Sequence, residues 1–596
     1  MGAVKAPAPR ALLALAAVAV AFAAADTYVV VLALPEMMGA VGVSTEELQR
    51  AAPIISGFLL GYVAMLPLIG RIADLRGRMP VLVAALMIFA VGSLVTALAY
   101  DMPSMVAGRF LQGLGGGGLV PATLALVADL YPVRRRAVPL GIVSAVQEAG
   151  SVLGPVFGAL VLAVADWRAI FLINLAVGLV LAAAIQALRF GHQRQISGPE
   201  TGRSVTNRGM PDLTGALLLL ITLGAGVLVF VRPSSLLRDL TWGQLFIPFV
   251  TDGRWLSPIG VVAIAAALLF VVRCLTASNP LVDLPSWVRS MREADLLGAT
   301  YLAVALGGVI LAFATADVKV EVFADQGWWY LLGSAVAAAA FVLHLRRVEQ
   351  PLVPRGALRR TPAWGAVVVS FFMGAALMAA VLDIPLFART TVHRDSQLMA
   401  ALVLVRFLLA LPVGAVVGGF LTRRFSAGVV TATGMVLAAA SFVWMTQWDI
   451  DSLDSFAATI PLVMGGFGFG LALPAINAAI LASTDDDVHG LASAMVVVAR
   501  MVGMLVGISA LTAIGLRRYY EGLEDNPLPS AREVCDGRTR CKEFTDLIAA
   551  AGIPQEHAVF AGAAVCAAIA AVVALVVFRG AATRGVSPAD LLRSGG

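Results

Sequence analysis

Long apolar runs, separated by short polar stretches, dominate the pattern of this chain. A run of about 20 apolar residues can cross the hydrocarbon core of a bilayer as an α-helix. The pattern therefore predicts an all-α polytopic membrane protein. The predicted spans are 11–36, 51–70, 80–100, 104–128, 138–164, 168–188, 212–231, 257–276, 294–315, 328–345, 363–388, 398–421, 427–447, 456–483, 488–517 and 556–579.

Two arginine-rich polar stretches, 189–210 and 346–361, divide these runs into groups of six, four and six. We predict from this division an N-terminal six-helix bundle over 1–190 and a C-terminal six-helix bundle over 362–596. The region between them, 191–361, is predicted to hold two linker helix pairs.

The linker region contains two short repeats. The sequence Asp-Leu-Thr-Gly-Ala at 212–216 recurs with one change as Asp-Leu-Leu-Gly-Ala at 295–299. The sequence Pro-Leu-Val at 280–282 recurs unchanged at 351–353. Each match holds the same place relative to an apolar run, which favours the duplication of one helix pair. Two short matches also arise by chance, so coincidence is the alternative.

Composition narrows the class of protein. Of the 596 residues, 60% are hydrophobic and 13% are charged, whereas soluble domains carry about 25% charged residues. The net charge of +5 does not indicate nucleic-acid binding, because the basic residues lie in short loops. The sequence offers no nucleophile–base set, phosphate-binding loop or metal-ligand spacing. We therefore expect neither an enzyme nor a bound cofactor.

The arginines indicate the orientation of the chain. Loops such as 71–78 and 134–136 are arginine-rich, while alternate loops such as 449–454 are acidic. The loops at 232–256 and 485–487 depart from this alternation. The chain as a whole predicts that both termini are cytoplasmic, and the expected location is the inner (cytoplasmic) membrane of a bacterium.

Three ionisable residues inside predicted spans, Asp26, Glu148 and Arg500, are candidates for proton coupling at a central cavity. A charged side chain at the bilayer centre costs about 2.5–3.5 kcal/mol on insertion scales. We hypothesise that Arg500 is the counter-charge of the two acids and that protonation releases it, shifting the protein between outward and inward states. The alternative for each acid is a structural polar contact with a neighbouring helix.

Small residues follow Glu148 in the same run: Gly150, Gly154, Pro155 and Gly158. Glycines at this spacing allow another helix backbone to approach closely, and an internal proline can kink a helix. The pattern predicts a close-packing face with a hinge.

Two further charges, Asp383 and Arg406, fall within the last group of six spans. Asp383 lies near the predicted outer end of its helix, so solvation is the favoured interpretation. Arg406 is expected either to pair with Asp383 or to extend towards the membrane surface.

The polar segment 516–556 is predicted to form two helices that protrude on the outer side, joined by a disulfide between Cys535 and Cys541. A disulfide requires an oxidising compartment. Such a ridge would dock a partner or carry lipid away from the membrane. The alternative is an ordinary solvated loop.

The loop after the second span contains Gly70, Asp74, Gly77 and Arg78, and it resembles the signature loop of the major facilitator superfamily. The resemblance implies two six-helix bundles, and it implies that Asp74 and Arg78 tie two helix ends together in one conformational state. The counterpart loop in the second half has Arg423 where the acid would stand, so the C-terminal half matches more loosely.

Four more stretches extend this resemblance: 109–115 looks like the second motif of the superfamily, and the other three resemble its drug:proton antiporter branch, which has extra linker helices. In that family's pattern Arg109 anchors its helix or takes part in proton transfer. The stretches are 26–35, 109–115, 150–158 and 167–174.

The stretches 26–31, 147–148 and 494–504 look like the mycobacterial members that export lipids and drugs together with a periplasmic lipoprotein. The resemblance implies proton-coupled export of hydrophobic compounds, such as triacylglycerides and lipophilic drugs, by a monomer driven by the proton gradient. The duplicated linker pair is a departure, which weakens the inference of substrate. The alternatives are a facilitator or importer of a small polar solute and a non-transporting membrane scaffold.

Overall fold

The computed structural model describes eleven stretches of the chain, and these contain helices, turns and loops but no β-strand. The stretches are 8–43, 48–132, 135–196, 212–249, 253–314, 327–349, 351–354, 356–392, 397–525, 529–535 and 541–581.

Twenty α-helices follow one another along these stretches. They are α1 (Ala8–Ala40), α2 (Leu48–Ala64), α3 (Leu66–Arg76), α4 (Arg78–Ala97), α5 (Met102–Leu130), α6 (Ala137–Leu162), α7 (Trp167–Ile196), α8 (Leu213–Val231), α9 (Ser234–Leu237), α10 (Pro258–Thr276), α11 (Leu284–Glu293), α12 (Leu296–Ala314), α13 (Gly327–Arg347), α14 (Thr361–Thr390), α15 (Gln397–Leu421), α16 (Ala427–Met445), α17 (Thr459–Ser483), α18 (His489–Asp525), α19 (Ala531–Val534) and α20 (Lys542–Val577).

The described helices are long and apolar enough to make this a multi-pass membrane protein. Thirteen cross the length and hydropathy threshold for a span, with α2 and α3 counted as one, and the bent pair α11–α12 makes a fourteenth. The helices α1 and α6, some of whose side chains lie outside the described set, occupy the remaining two predicted spans.

The helices group into an N-terminal bundle, α1–α7, and a C-terminal bundle, α14–α20. In the first, α4 packs on α5 and α7, and α1 packs on α6. In the second, α17 packs on α15 and α16, while α14 packs on α18 and α20. The bundles meet along two seams, α6 against α15 and α3 against α18. This two-bundle architecture confirms the predicted fold class.

The glycine face of α6 packs against α1. A side chain at Gly154 would lie 2.6 Å from the carbonyl oxygen of Ala25, and one at Gly150 would clash with the carbonyl of Ala21. Gly158 is also buried, while the side chain of Pro155 lies outside the described residues. The absence of side chains is thus what allows the two backbones to touch. The role of Pro155 as a hinge stays a prediction.

The two linker pairs, α8 with α10 and α12 with α13, share one local design. Asp212 precedes α8 and accepts hydrogen bonds from the Gly215 amide at 3.0 Å and from Arg273 of α10 at 3.0 Å. Asp295 precedes α12 and bonds the Gly298 amide at 2.9 Å and His344 of α13 at 2.7 Å.

In each pair, an aspartate caps the first helix and binds a basic residue near the end of the second. The hydrogen bond from Gly215, aided by Thr214 and Arg273, holds the pKa of Asp212 below its usual value. The shared contacts support the duplication, which stays a prediction. The second pair also packs against both bundles, because α12 contacts α2 and α18.

Two helices of the C-terminal bundle are longer than a membrane is thick. With 37 residues in α18 and 36 in α20, each measures about 55 Å, against about 30 Å of hydrocarbon. A disulfide joins Cys535 and Cys541 between them, with their Cα atoms 5.5 Å apart. The described part of 516–556 is therefore largely helical, and both helices extend beyond the membrane at the end that carries the disulfide.

Candidate transport site

Asp26 lies at the centre of a buried polar cluster in the N-terminal bundle. Its carboxylate accepts a hydrogen bond at 2.6 Å from Arg109 of α5, which is also its ion-pair partner, and another at 2.6 Å from the amide of Asn174 of α7. Gln112, one turn after Arg109, donates at a longer 3.4 Å to Oδ1, the carboxylate oxygen that Asn174 also bonds, while Arg109 bonds Oδ2. The counter-charge of Asp26 is therefore Arg109, where the sequence analysis had assigned Arg500.

Neighbouring groups hold this cluster in place. The guanidinium of Arg109 lies over the ring of Phe58, 4.4 Å from its centroid, and donates to Gln112 at 2.9 Å. Gln112 in turn donates to Ser93 at 2.9 Å and accepts from Thr96 at 3.2 Å. Each helix of the cluster thus contributes a hydrogen bond that orients the next side chain, which makes the charges of Asp26 and Arg109 tolerable in an apolar bundle.

Glu148 and Arg500 occupy a different setting, a small cavity between the two bundles. The cavity is walled by α5, α6, α14, α17 and α18. Among the described residues, neither Glu148 nor Arg500 makes a side-chain hydrogen bond or an ion pair within 4 Å, yet each acts electrostatically on the other. The remaining lining residues are Val120, Leu124, Ser144, Gln147, Ser370, Leu473, Ile476, Asn477, Val496 and Val497.

The cavity lies near the middle of the membrane. Glu148 and Arg500 each lie three turns into their helices, about 16 Å from the first residue, and the hydrocarbon core is about 30 Å thick. Gly374 of α14 allows α18 to pack closely at Arg500, because a side chain at position 374 would collide with the backbone of Arg500. An acid and a base thus face one cavity at mid-membrane, on opposite bundles.

The side of the cavity that carries Asp74 is closed. Asp74 accepts hydrogen bonds from the backbone amides of Gly490 and Leu491, at 2.8 Å and 3.0 Å, which are the first turn of α18. A carboxylate is favoured at a helix N-terminus, where unpaired amides carry partial positive charge. A side chain at Gly70 would lie 2.6 Å from the Gly490 carbonyl, so the two bundles touch there.

Arg78 reinforces this contact. It pairs with Asp74 at 3.0 Å and donates to the carbonyl of Asp486 in the opposite bundle at 3.2 Å. Gly77 joins α3 to α4 with φ of +85°, a left-handed conformation that favours glycine. The structure thus brings together Gly70, Asp74, Gly77 and Arg78 at one inter-bundle contact, and their role as a conformational gate stays a prediction.

The interpretation of Asp383 as a solvated residue is wrong. Asp383 is 3% exposed, because α20 packs over it and places Glu556, 4% exposed, within hydrogen-bonding contact. Arg406 does not pair with Asp383: it is exposed and donates to Thr459 at 3.1 Å. Its extension towards the membrane surface stays a prediction.

Sequence reasoning missed Glu556, which it placed at the end of a polar loop. The sequence signal was the helical spacing of Phe544, Leu547 and Ile548 before it, which indicates that the helix begins well ahead of the predicted span.

The sequence matches one known protein family over most of its length. The family model described as Major Facilitator Superfamily matches residues 16–349 and 322–508. The chain belongs to the major facilitator superfamily. A facilitator of this kind is a membrane transporter and not an enzyme, as the sequence predicted.

Two relatives of this facilitator come from mycobacteria. It is 33% identical over 516 residues to the triacylglyceride transporter of Mycobacteroides abscessus, which covers 85% of this chain and 82% of the relative. It is 33% identical over 515 residues to the triacylglyceride transporter of Mycolicibacterium smegmatis, covering 85% and 75%. The recognition of this family from its motifs is confirmed.

A solved structure supports the fold of the facilitator. The crystal structure of the human organic anion transporter MFSD10 superposes with a TM-score of 0.51 at 13% identity, covering 96% of this chain and 99% of that one. At this identity the likeness concerns the fold alone.

Proposed function

We propose that this facilitator is a proton-coupled exporter of hydrophobic compounds, triacylglyceride-type lipids and lipophilic drugs, that works by alternating access in the bacterial cytoplasmic membrane. The observation that carries the proposal is the cavity shared by Glu148 and Arg500. It lies between the bundles and holds two opposite charges that no direct bond ties together.

The coupling step uses the charge of Glu148. When Glu148 is ionised, its attraction to Arg500 draws α6 and α18 together across the cavity. A proton on Glu148 removes that attraction, and the equilibrium between inward and outward openings shifts because one state loses a favourable interaction. In this scheme Asp74 and Arg78 stabilise the state that is closed on the predicted cytoplasmic side.

The lining of the cavity is half apolar. Six of its twelve residues are valine, leucine or isoleucine, and the polar ones beyond the charged pair are Ser144, Gln147, Ser370 and Asn477. A carrier of polar solutes needs many hydrogen-bonding groups to replace hydration. The relatives named triacylglyceride transporters support the proposed substrate class.

The protruding parts of α18 and α20 complete the proposal. They offer a ridge on the predicted outer side, where a lipoprotein partner would dock or a lipid would leave the membrane. The partner is tested by site-specific crosslinking from Tyr520, which is exposed on the protruding part of α18. A crosslink to a lipoprotein at this position supports docking, and crosslinks to lipid alone contradict it.

The test of function is transport by the purified protein in liposomes. Transfer of a fluorescent neutral lipid and efflux of a lipophilic dye are measured with and without a pH gradient. We expect the gradient to accelerate both, and Glu148→Gln to abolish the acceleration. Asp449→Asn, an exposed loop acid, is the matched control and is expected to leave transport unchanged.

Each contrary outcome contradicts one part of the proposal. If transport by the native protein does not respond to the pH gradient, the protein is not proton-coupled. If the pH gradient accelerates transport by the Glu148→Gln variant as much as by the native protein, Glu148 is not the coupling residue. Uptake of a small polar solute without any lipid or dye movement favours the importer.

A further inference from the structure

Asp383 and Glu556 form a second buried acidic site, away from the Glu148 cavity. Asp383 is on α14 and Glu556 on α20, two helices that pack closely in the C-terminal bundle. The cavity residue Arg500 packs beside Gly374, about two and a half turns before Asp383. The two sites are therefore separate.

Asp383 and Glu556 are only 3% and 4% exposed, and their carboxyl groups come within hydrogen-bonding contact where α14 packs on α20. An ionised carboxylate only accepts hydrogen bonds, so one of the two must carry a proton to donate. Two adjacent carboxylates in an apolar setting cannot both be ionised without a large electrostatic penalty. Two buried carboxyl groups in contact are therefore most stable together when one of them holds a proton.

The described residues bring no cation to this pair, and the only charged group acting on either carboxyl is the other. On α15, Arg406 turns to Thr459. On α18, Arg517 and Arg518 pair with Glu521 near the protruding end.

The other ionisable groups nearby also leave the pair without a cation. The described parts of α16 and α17 carry no charged residue, and Arg389 is exposed at the last turn of α14. His557 follows Glu556 directly but bonds the backbone carbonyl of Trp448 at 2.7 Å. Asp546, at the start of α20, lies ten residues before Glu556.

Aromatic rings pack beside the pair. Phe387 follows Asp383 by one turn and Phe560 follows Glu556 by one turn, and their centroids are 6.4 Å apart. Trp448 contacts both rings, at 5.5 Å and 6.0 Å. These rings form an apolar wall beside the pair and offer it no ionic partner.

The position of Glu556 gives the pair a structural consequence. About 21 Å of α20 precede it, and the remaining 22 residues suffice to cross the membrane. Glu556 is thus at the root of the protruding segment that ends at the Cys535–Cys541 disulfide. We propose that Asp383 and Glu556 are a proton-binding site, in which one shared proton holds α14 against the root of the protruding helix.

The first test is chemical labelling of the full-length protein in detergent. Dicyclohexylcarbodiimide is an apolar reagent that modifies protonated carboxyl groups in apolar surroundings. Peptide mapping is expected to find the label on Asp383 or Glu556 at neutral pH. Labelling should fall at alkaline pH, by about tenfold per pH unit once the proton dissociates. The Glu148→Gln variant should label equally, which separates this site from the proposed coupling residue.

Two results overturn the proposal. Absence of label on both residues at mildly acidic pH shows that neither holds an accessible proton. Protection by sodium chloride but not by choline chloride shows that the site binds a metal cation.

The second test is thermal stability, which does not depend on reagent access. The Tm of the native protein should fall from neutral to alkaline pH, because the folded protein then loses the shared proton. The double variant Asp383→Asn/Glu556→Gln keeps a hydrogen bond without a titrating group, so this fall should disappear. The exposed-acid variant Asp449→Asn/Asp454→Asn should keep it. An unchanged fall in the first double variant contradicts the proposal.

Discussion

Asp26 and Glu148 lie on helices that pack against each other, yet they have opposite surroundings. Asp26 binds Arg109 and Asn174 directly, inside one bundle. Glu148 faces Arg500 across a cavity between the bundles and has no hydrogen-bond partner among the described residues. From the sequence the two acids were indistinguishable, since each is a carboxylate inside an apolar run.

The difference shows which acid is free to change its charge. The ion pair of Asp26 and Arg109 is held by several hydrogen bonds, so a change in either charge leaves a buried group uncompensated. Glu148 can change its protonation, and Arg500 its partner, without breaking a hydrogen bond. The structural alternative for Asp26 therefore gains support, and its role in coupling stays a prediction.

The largest effect expected from this comparison is on stability. Arg109→Leu leaves Asp26 charged and buried, which should cost about 3–5 kcal/mol of folding free energy. Arg500→Leu breaks no direct bond and lets Glu148 take up a proton, so the expected cost is about 1 kcal/mol or less. Thermal unfolding of both variants in the same detergent measures the difference. Equal losses would contradict the distinction between a bonded cluster and an open cavity.

Much of this fold was predictable from the sequence. All sixteen predicted spans correspond to helices of the structure, because apolar length alone decides whether a segment can cross a bilayer. The glycine face of α6 was also predictable, since Gly150 and Gly154 mark a backbone contact at helical spacing. The identity of the contacting helix, α1, was not.

The partners of the charged residues could not be predicted from the sequence, for a physical reason. Asp26 and Arg109 are 83 residues apart, and their contact depends on how α1 and α5 rotate about their axes. Apolar periodicity is weak in helices that are hydrophobic all round, so it does not give that rotation. For the same reason Asp383 was assigned to solvent, although α20 covers it.

A smaller effect separates the two buried amides. Asn174 donates a 2.6 Å hydrogen bond to Asp26, and hydrogen bonds to charged groups contribute about 1.5–3 kcal/mol. Asn174→Ala should lose stability in that range. Asn477 lines the Glu148 cavity and has no side-chain hydrogen bond among the described residues. Asn477→Ala should therefore stay within about 0.5 kcal/mol.

Thermal unfolding against the native protein measures both amide variants. A loss for Asn477→Ala as large as that for Asn174→Ala would show that the cavity wall is as tightly bonded as the Asp26 cluster.

The smallest expected effect concerns access to the two sites. Asp74→Asn weakens the contact with the first turn of α18, which at about 1 kcal/mol changes the population of the open state about fivefold. Ser144 lines the Glu148 cavity, while Ser93 bonds Gln112 inside the N-terminal bundle. Single cysteines at these positions, in a background with Cys274 and Cys566 replaced, report access to each site.

We expect Asp74→Asn to accelerate labelling of Ser144→Cys from the predicted cytoplasmic side about fivefold and to leave Ser93→Cys protected. Opening a seam between bundles exposes the cavity that the bundles share, but the Asp26 cluster moves as part of one bundle. Acceleration at both positions would mean that the N-terminal bundle itself loosens. In that case Asp74 mainly stabilises the fold of the N-terminal bundle, and the cavity is closed only because that bundle is folded.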